Sequence, residues 1–242
     1  MMASFRSQDM RAEKQLGMFM DDYFYSRLST KDGTPIFFQR KSDLKSQLQG
    51  VDVCIETSNR RMLIDEKASL YYSNAMIPTF AFEIDSLQKG HDNPVEGWFI
   101  NDELLTEYYM LIWPNIKCTR SNEDRQWKRK DLDHLTKDDF TIIEAMLIEK
   151  QSIRSMLEKK GYNRSRLLEY ARLIRKMADE SDAIIEKNIA ENVKITYSGQ
   201  IAEKPVNLVI RKEVLKQMSK GIYLISQDGY ANIRSEVWNL SK

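Results

Sequence analysis

The chain has only two cysteines in 242 residues, Cys54 and Cys118. That is too few for a disulfide framework or a four-thiolate zinc site, so both read as small buried hydrophobes. No run approaches the roughly 18–20 apolar residues that a membrane helix needs. The opening stretch "MMASFRSQDMRAEKQ" lacks the apolar core of a signal peptide. A cytoplasmic protein without a membrane partner is the expectation. No P-loop, G-x-G-x-x-G or G-x-S-x-G occurs, which leaves ATP use and serine hydrolysis unsupported. His91 and His134 lie in polar stretches with no second histidine at ligand spacing, so both read as ordinary loop residues. There is no internal repeat and no low-complexity run.

Charge of one sign is also missing: the net charge is +1, which by itself announces no nucleic-acid binder. Its distribution says more. Between Lys150 and Lys176 nine basic residues face only Glu158 and Glu169, and between Lys117 and Lys130 six face two acids. Such blocks suit a phosphate backbone, although a solvated helical face has the same composition. Lys150, Arg154, Lys159, Lys160, Arg164 and Arg166 are the candidate nucleic-acid contacts.

The hydrophobic pattern predicts an α/β chain. Ala12, Leu16, Phe19, Met20 and Tyr23 form an apolar stripe that predicts a helix over 11–28. "PIFFQR" (35–40) reads as a strand, and the polar "TSNR" joins strands at about 51–56 and 62–68 into an antiparallel hairpin. Further strands are expected at 78–84, in "GWFI", and at 106–116, where Tyr108, Tyr109 and Trp113 read as core. Residues 138–161 predict one long helix with Asp138 as N-cap and Gly161 as C-terminal cap. A second helix is expected over 164–181. Strand 205–210, helix 211–220 and strand 221–226 close the chain. This organisation gives a core at 1–125, a basic helical annex at 126–200, and a strand-helix-strand return at 201–242.

The sequence "GVDVCIETSNRRMLIDEKA" (50–68) places acids inside strands that are otherwise apolar. A buried carboxylate is costly unless something compensates it. Side chains alternate across a strand, so Leu63, Asp65 and Lys67 share one face while Ile64, Glu66 and Ala68 share the other. Asp52 lies opposite Val51, Val53 and Ile55, and the hairpin brings it beside Asp65. Two adjacent carboxylates repel, and a hard divalent cation relieves that repulsion. Lys67 beside them is able to orient or help deprotonate a water, or to hold a phosphate. Glu66, facing away, reads as structural; Glu83, in the apolar "FAFEI", either approaches the site or is a hydrogen-bonded rim carboxylate.

Asp52 after "GV", followed by "LIDEK" on the next strand, resembles the PD-(D/E)XK nuclease superfamily, the restriction-endonuclease-like fold. The resemblance covers roughly residues 11–85. Val51 replaces the motif's proline. The pattern "PTFAFEI…EGWFINDELLTEYYMLIWP" is also similar to one found in bacterial members of the superfamily. The resemblance implies a mixed β-sheet core flanked by helices. It also implies Mg²⁺- or Mn²⁺-dependent cleavage of DNA, with Asp52, Asp65 and an acid on the preceding helix as metal ligands and Lys67 as catalytic lysine. Glu13 is the chosen helix acid, with Asp21 and Asp22 as competitors. Cutting two strands commonly needs two sites, so a homodimer is expected. The alternative reading is a non-catalytic DNA-binding protein, in which helices 138–160 and 164–181 form a helix-turn-helix-like reader on a degenerate nuclease core. A protein that binds only other proteins is the third.

Overall fold

The computed structural model describes residues 6–30, 32–57, 60–88, 93–117, 132, 134–179, 185–236 and 239–240. Along the chain run α1 (Arg6–Tyr23), β1 (Leu28–Ser29), β2 (Phe37–Arg40), α2 (Leu44–Leu48), β3 (Val53–Thr57), β4 (Arg60–Ala68), β5 (Thr79–Ser86), β6 (Val95–Glu96), β7 (Tyr108–Ile116) and β8 (Phe140–Glu149). Then follow α3 (Lys150–Lys159), α4 (Arg164–Asp179), β9 (Ile185–Ala190), β10 (Val193–Tyr197), β11 (Val206–Arg211), α5 (Lys212–Met218), β12 (Gly221–Ser226), β13 (Gly229–Ser235) and β14 (Asn239–Leu240). Among the described residues no helix is long and apolar enough to cross a membrane.

The chain divides into two units. The first comprises Phe5–Ile77, Leu105–Glu149 and Ser219–Lys242. Its sheet has seven strands in the order β13-β12-β8-β7-β4-β3-β2. Every neighbouring pair is antiparallel except β4 and β7, which run parallel with Asp65 opposite Tyr109. Ala12, Leu16, Phe19 and Met20 of α1 join Val53, Ile55, Met62, Ile64, Met110 and Ile112 in one buried core. At roughly 25 cal/mol per Å² of apolar surface, that stripe fixes the helix on the sheet. Because side chains alternate, the other members of β4 fall on the opposite face, and this sends Asp65 and Lys67 away from the α1 core.

The second unit comprises Pro78–Leu104 and Lys150–Met218. Its five strands are antiparallel throughout, in the order β6-β5-β11-β10-β9. Helix α4 starts at Asn163, whose side chain accepts the Arg166 N–H at 3.0 Å, and packs against β5, β9 and β10. Gly97 lies where a Cβ would come within 2.6 Å of the Glu83 carbonyl oxygen, so only glycine allows that approach. Inside this unit Arg175 Nε donates to Asp85 Oδ1 at 3.2 Å, with a second, shorter contact from Nη2. Both residues are buried, and the guanidinium lies over the Tyr197 ring.

Several elements differ from the sequence reading. Residues 138–161 are not one helix. A 3₁₀ turn at Lys137–Asp139 leads into strand β8, and only Lys150–Lys159 is helical. Phe140, Ile143 and Met146 or Leu147 recur at helical spacing, yet β8 is an interior strand of its sheet, buried on both faces over residues 145–148. A doubly covered strand shows a nearly continuous apolar run, which mimics a helix stripe. Helix α1 ends at Tyr23 rather than residue 28, and "GWFI" forms a turn closed by Ile100 N–H to Gly97 O at 3.1 Å. The stretch 126–200 is not a helical annex: it supplies β8 to the first unit and α3, α4, β9 and β10 to the second. The stretch 201–242 is shared in the same way. Cys118, His91 and nearly all of the 117–130 basic block lie outside the described residues.

The Asp85–Arg175 pair sets one expectation. Asp85→Ala or Arg175→Ala leaves a buried charge alone, and each should lower the unfolding free energy by about 3–5 kcal/mol in urea titrations. The double variant should lose less than the sum of the two, since neither charge then remains unpaired.

Candidate active site

Three of the four expected catalytic residues come together at one end of the β3–β4 pair. Register places Val53 opposite Ile64, so Asp52 comes level with Asp65. The backbone pins Asp52 on both sides: its N–H donates to Ile64 O at 2.9 Å, and its carbonyl accepts from Lys41 N–H at 2.7 Å. Asp52 Oδ2 then accepts the Glu66 N–H at 2.8 Å. The carboxylate thus ends the strand ladder and is held beside its neighbour on β4.

Asp65 is 2% exposed. Lys67 Nζ donates to its Oδ1 at 2.6 Å, as period-two alternation requires for residues i and i+2. Its Oδ2 is buried and receives no hydrogen bond. Burial, together with the nearby charge of Asp52, outweighs the attraction of Lys67 and pushes the Asp65 carboxyl up to about 7. Lys67 feels the reverse balance. Burial works against its charge, but Asp65, Asp52 and Glu13 hold it above the ordinary lysine range. It is an ammonium at neutral pH, suited to donating hydrogen bonds rather than to taking a proton.

Glu66 points to the other face, as the alternation predicts. Its Oε1 accepts from the Tyr25 hydroxyl at 2.9 Å and its Oε2 from Arg40 Nη1 at 2.6 Å. Arg40 Nε also donates to Asp21 Oδ2 at 2.7 Å, and Nη2 to Gly17 O at 3.2 Å. A Cβ at Gly17 would meet this guanidinium at 3.0 Å, which explains a glycine in mid-helix. Burial raises the Glu66 carboxyl against the pull of Arg40, and burial with the Glu66 charge raises the Tyr25 phenol strongly. This group ties α1, β2 and β4 together directly behind the Asp65 strand. Arg40 and Tyr25 carried no motif that would have singled them out in the sequence.

The helix acids divide. Asp21 belongs to the Arg40 group, and Asp22 accepts from Lys137 Nζ at 2.5 Å. Glu13 is exposed, and its charge acts on Lys67. Among the described residues no group of three His, Cys, Asp or Glu side chains is placed to hold one ion. Glu13 therefore does not complete a three-carboxylate cage with Asp52 and Asp65. The donors that do converge are two carboxylates, one with a buried oxygen lacking a donor. That set fits Mg²⁺, which takes one or two protein carboxylates and completes its octahedron with waters and phosphate oxygens.

Glu83 belongs to the second unit, where its Oε1 accepts from Ser86 Oγ at 3.2 Å. Cys54 is buried, and Tyr108, Tyr109 and Trp113 are core. His134 is exposed.

The basic residues of α3 and α4 separate as well. Lys150 is buried and donates to Asn101 O at 3.1 Å. Arg154 donates to Phe99 O and Ile100 O at 2.9 and 3.0 Å and to Asp102 at 2.5 Å. Arg164 pairs with Glu96 and, at 3.3 Å, with Asp102. These three hold the 96–102 turn, so they are structural rather than free phosphate contacts. Lys159, Lys160 and Arg166 remain exposed.

No protein-family model, curated protein or solved structure matches this chain.

The raised carboxyls set a pH dependence. An ordinary aspartate in the unfolded chain titrates near 3.8, and Asp65 in the fold at about 7. Between these values the folded protein keeps a proton that the unfolded chain releases. Relative to Asp65→Asn, the wild type should therefore be most stable below about pH 4, lose that advantage as the pH rises, and level off above about pH 7. Glu66 acts in the same sense. Urea titrations at a series of pH values read the difference; a flat difference would contradict it.

Proposed function

We propose that the chain is a metal-dependent phosphodiesterase of the PD-(D/E)XK nuclease type that cleaves DNA. The observation that carries this reading is the convergence of Asp52, Asp65 and Lys67 at one strand end, with Asp65 Oδ2 buried and lacking a donor. The connectivity is consistent with it. A helix precedes a three-stranded antiparallel meander, Asp52 immediately precedes its second strand and Asp65 sits on its third, and a parallel strand joins the third.

Asp52 and Asp65 would hold Mg²⁺ or Mn²⁺. Such a cation, when bound, stabilises charge on a phosphate and makes water a better nucleophile. Lys67, kept cationic and fixed on Asp65 Oδ1, is placed to orient the attacking water or to donate to a phosphate oxygen as negative charge develops there. Glu13 adds negative potential near Lys67. The Arg40–Glu66–Tyr25 group fixes the back of the same strand and keeps the reacting groups in register. Cation binding requires the ionised pair, so both metal affinity and activity rise with pH through about 7.

The test is nicking of supercoiled, linear and branched DNA with Mg²⁺ or Mn²⁺. Wild type should cleave. Asp65→Ala and Lys67→Ala should each lose about 10²–10⁴-fold in rate, and chelation should abolish the activity. Absence of metal-dependent cleavage on all three DNA forms would overturn the reading.

A second measurement needs no substrate. Millimolar Mg²⁺ should raise the melting temperature of the wild type, by the equivalent of about 2.7 kcal/mol at a hundredfold excess over Kd. The rise should be larger at pH 8 than at pH 6 and should vanish in Asp65→Ala.

A further inference from the structure

Two sets of cations stand apart within and beside the basic block of the sequence. Lys150, Arg154, Arg164 and Arg175 are spent on carbonyls and acids of the second unit. Arg166, Arg172, Lys176 and Lys187 are exposed, and none of them makes an ion pair among the described residues. All four line one cavity of about 720 Å³, formed by the outer face of α4 with Lys187 of β9 beside it. Among the described residues the only acid in its wall is Glu169.

Two tyrosine rings accompany these cations. Tyr162 and Tyr170 lie 5.8 Å apart, Arg166 sits over Tyr162 at 5.6 Å, and Lys187 Nζ over Tyr170 at 4.4 Å. A hydrogen bond from Arg166 and the charge of Lys187 hold the Tyr170 hydroxyl below the ordinary phenol range. The inner face of α4 is committed to the core through Leu167, Ala171, Ile174 and Ala178. Its outer face therefore gathers like charges in a concave surface, an arrangement that repels itself until a polyanion enters.

The shape selects among anions. Arg166 and Lys176 are ten residues apart on one helix, about 15 Å along its axis. One phosphate cannot span that length, whereas a short run of backbone phosphates does. Tyr162 and Tyr170 are half-buried beside this cationic groove, and aromatic rings so placed are where unpaired bases stack.

We propose that this groove binds the backbone of a single-stranded polynucleotide, with Arg166, Arg172, Lys176 and Lys187 on its phosphates and Tyr162 and Tyr170 as the stacking surface. This deepens the nuclease reading by naming the form of nucleic acid that the second unit holds, and it rests on that reading only for the choice of polynucleotide over other polyanions.

The test is fluorescence anisotropy of the full-length chain with labelled 12-nucleotide oligo(dT) and oligo(U) and a 12-base-pair duplex. Excess EDTA ensures that no cleavage intervenes. The single strands should bind, with the affinity falling on a log–log salt plot at a slope of about −2.8 for four phosphates. Arg172→Ala/Lys176→Ala should weaken binding at least tenfold and make the slope shallower by about 1.4. Tyr170→Leu should weaken binding with the slope unchanged. Lys45→Ala/Lys216→Ala, with the same loss of charge elsewhere, should bind within twofold of wild type. Preference between the two single strands distinguishes DNA from RNA as the source, and either supports the groove. Equal affinity of the wild type and Arg172→Ala/Lys176→Ala would overturn the proposal. So would tighter binding of the duplex, or inorganic polyphosphate competing as well as the oligonucleotides. Binding is read in EDTA and cleavage in Mg²⁺ on the same groove variants, so loss of binding and loss of cleavage report on the two readings separately.

Discussion

The first unit is organised around a carboxylate that has no inexpensive way of being buried. Asp65 lies in a buried stretch of strand, with one oxygen on Lys67 and the other buried without a donor. A fold optimised only for stability would replace such a group with a residue of matching volume and no charge. Keeping it requires that the surrounding structure hold the pair against its own repulsion. The β3–β4 register, the Glu66 N–H on Asp52 and the Arg40 cluster behind the strand all contribute to this restraint.

Both faces of β4 carry charge, yet each solves the problem differently. On the α1 side Glu66 is saturated by an arginine and a phenol, so it acts as a structural bolt between helix and sheet. On the other side Asp65 has one satisfied oxygen and one that is not. The contrast separates, on adjacent residues, an acid with both oxygens partnered from one with a single partnered oxygen.

The acid pair was legible in the sequence because alternation in a strand is strict: a two-residue period puts Asp65 with Lys67 and against Glu66 with no further information. The long-range partners were not legible. Arg40 and Tyr25 reach Glu66 from sequence distances of 26 and 41 residues, and nothing local marks them. Strand β8 was concealed by its own burial, since Phe140, Ile143 and Leu147 satisfy a helical period and a covered strand alike. The strand pair β9–β10 was missed because the alternation of Val193, Ile195 and Tyr197 is short and follows a polar stretch. The basic block was visible as composition, but which cations are spent internally depends on the carbonyls of residues 99–101, which only the fold brings to them.

The two units are woven rather than strung. The polypeptide leaves the seven-stranded sheet after Ile77, re-enters at Leu105, leaves again after Glu149 and comes back at Ser219. Strand β8 therefore waits for its partner β12 until more than seventy residues have been added, and β4 waits for β7 across some forty. Such late pairings slow folding, because loop-closure entropy is spent before the contacts form. During synthesis the apolar edge of β8 stays open for the whole passage of the second unit, which makes that interval the stage at which this chain is most exposed to misassembly.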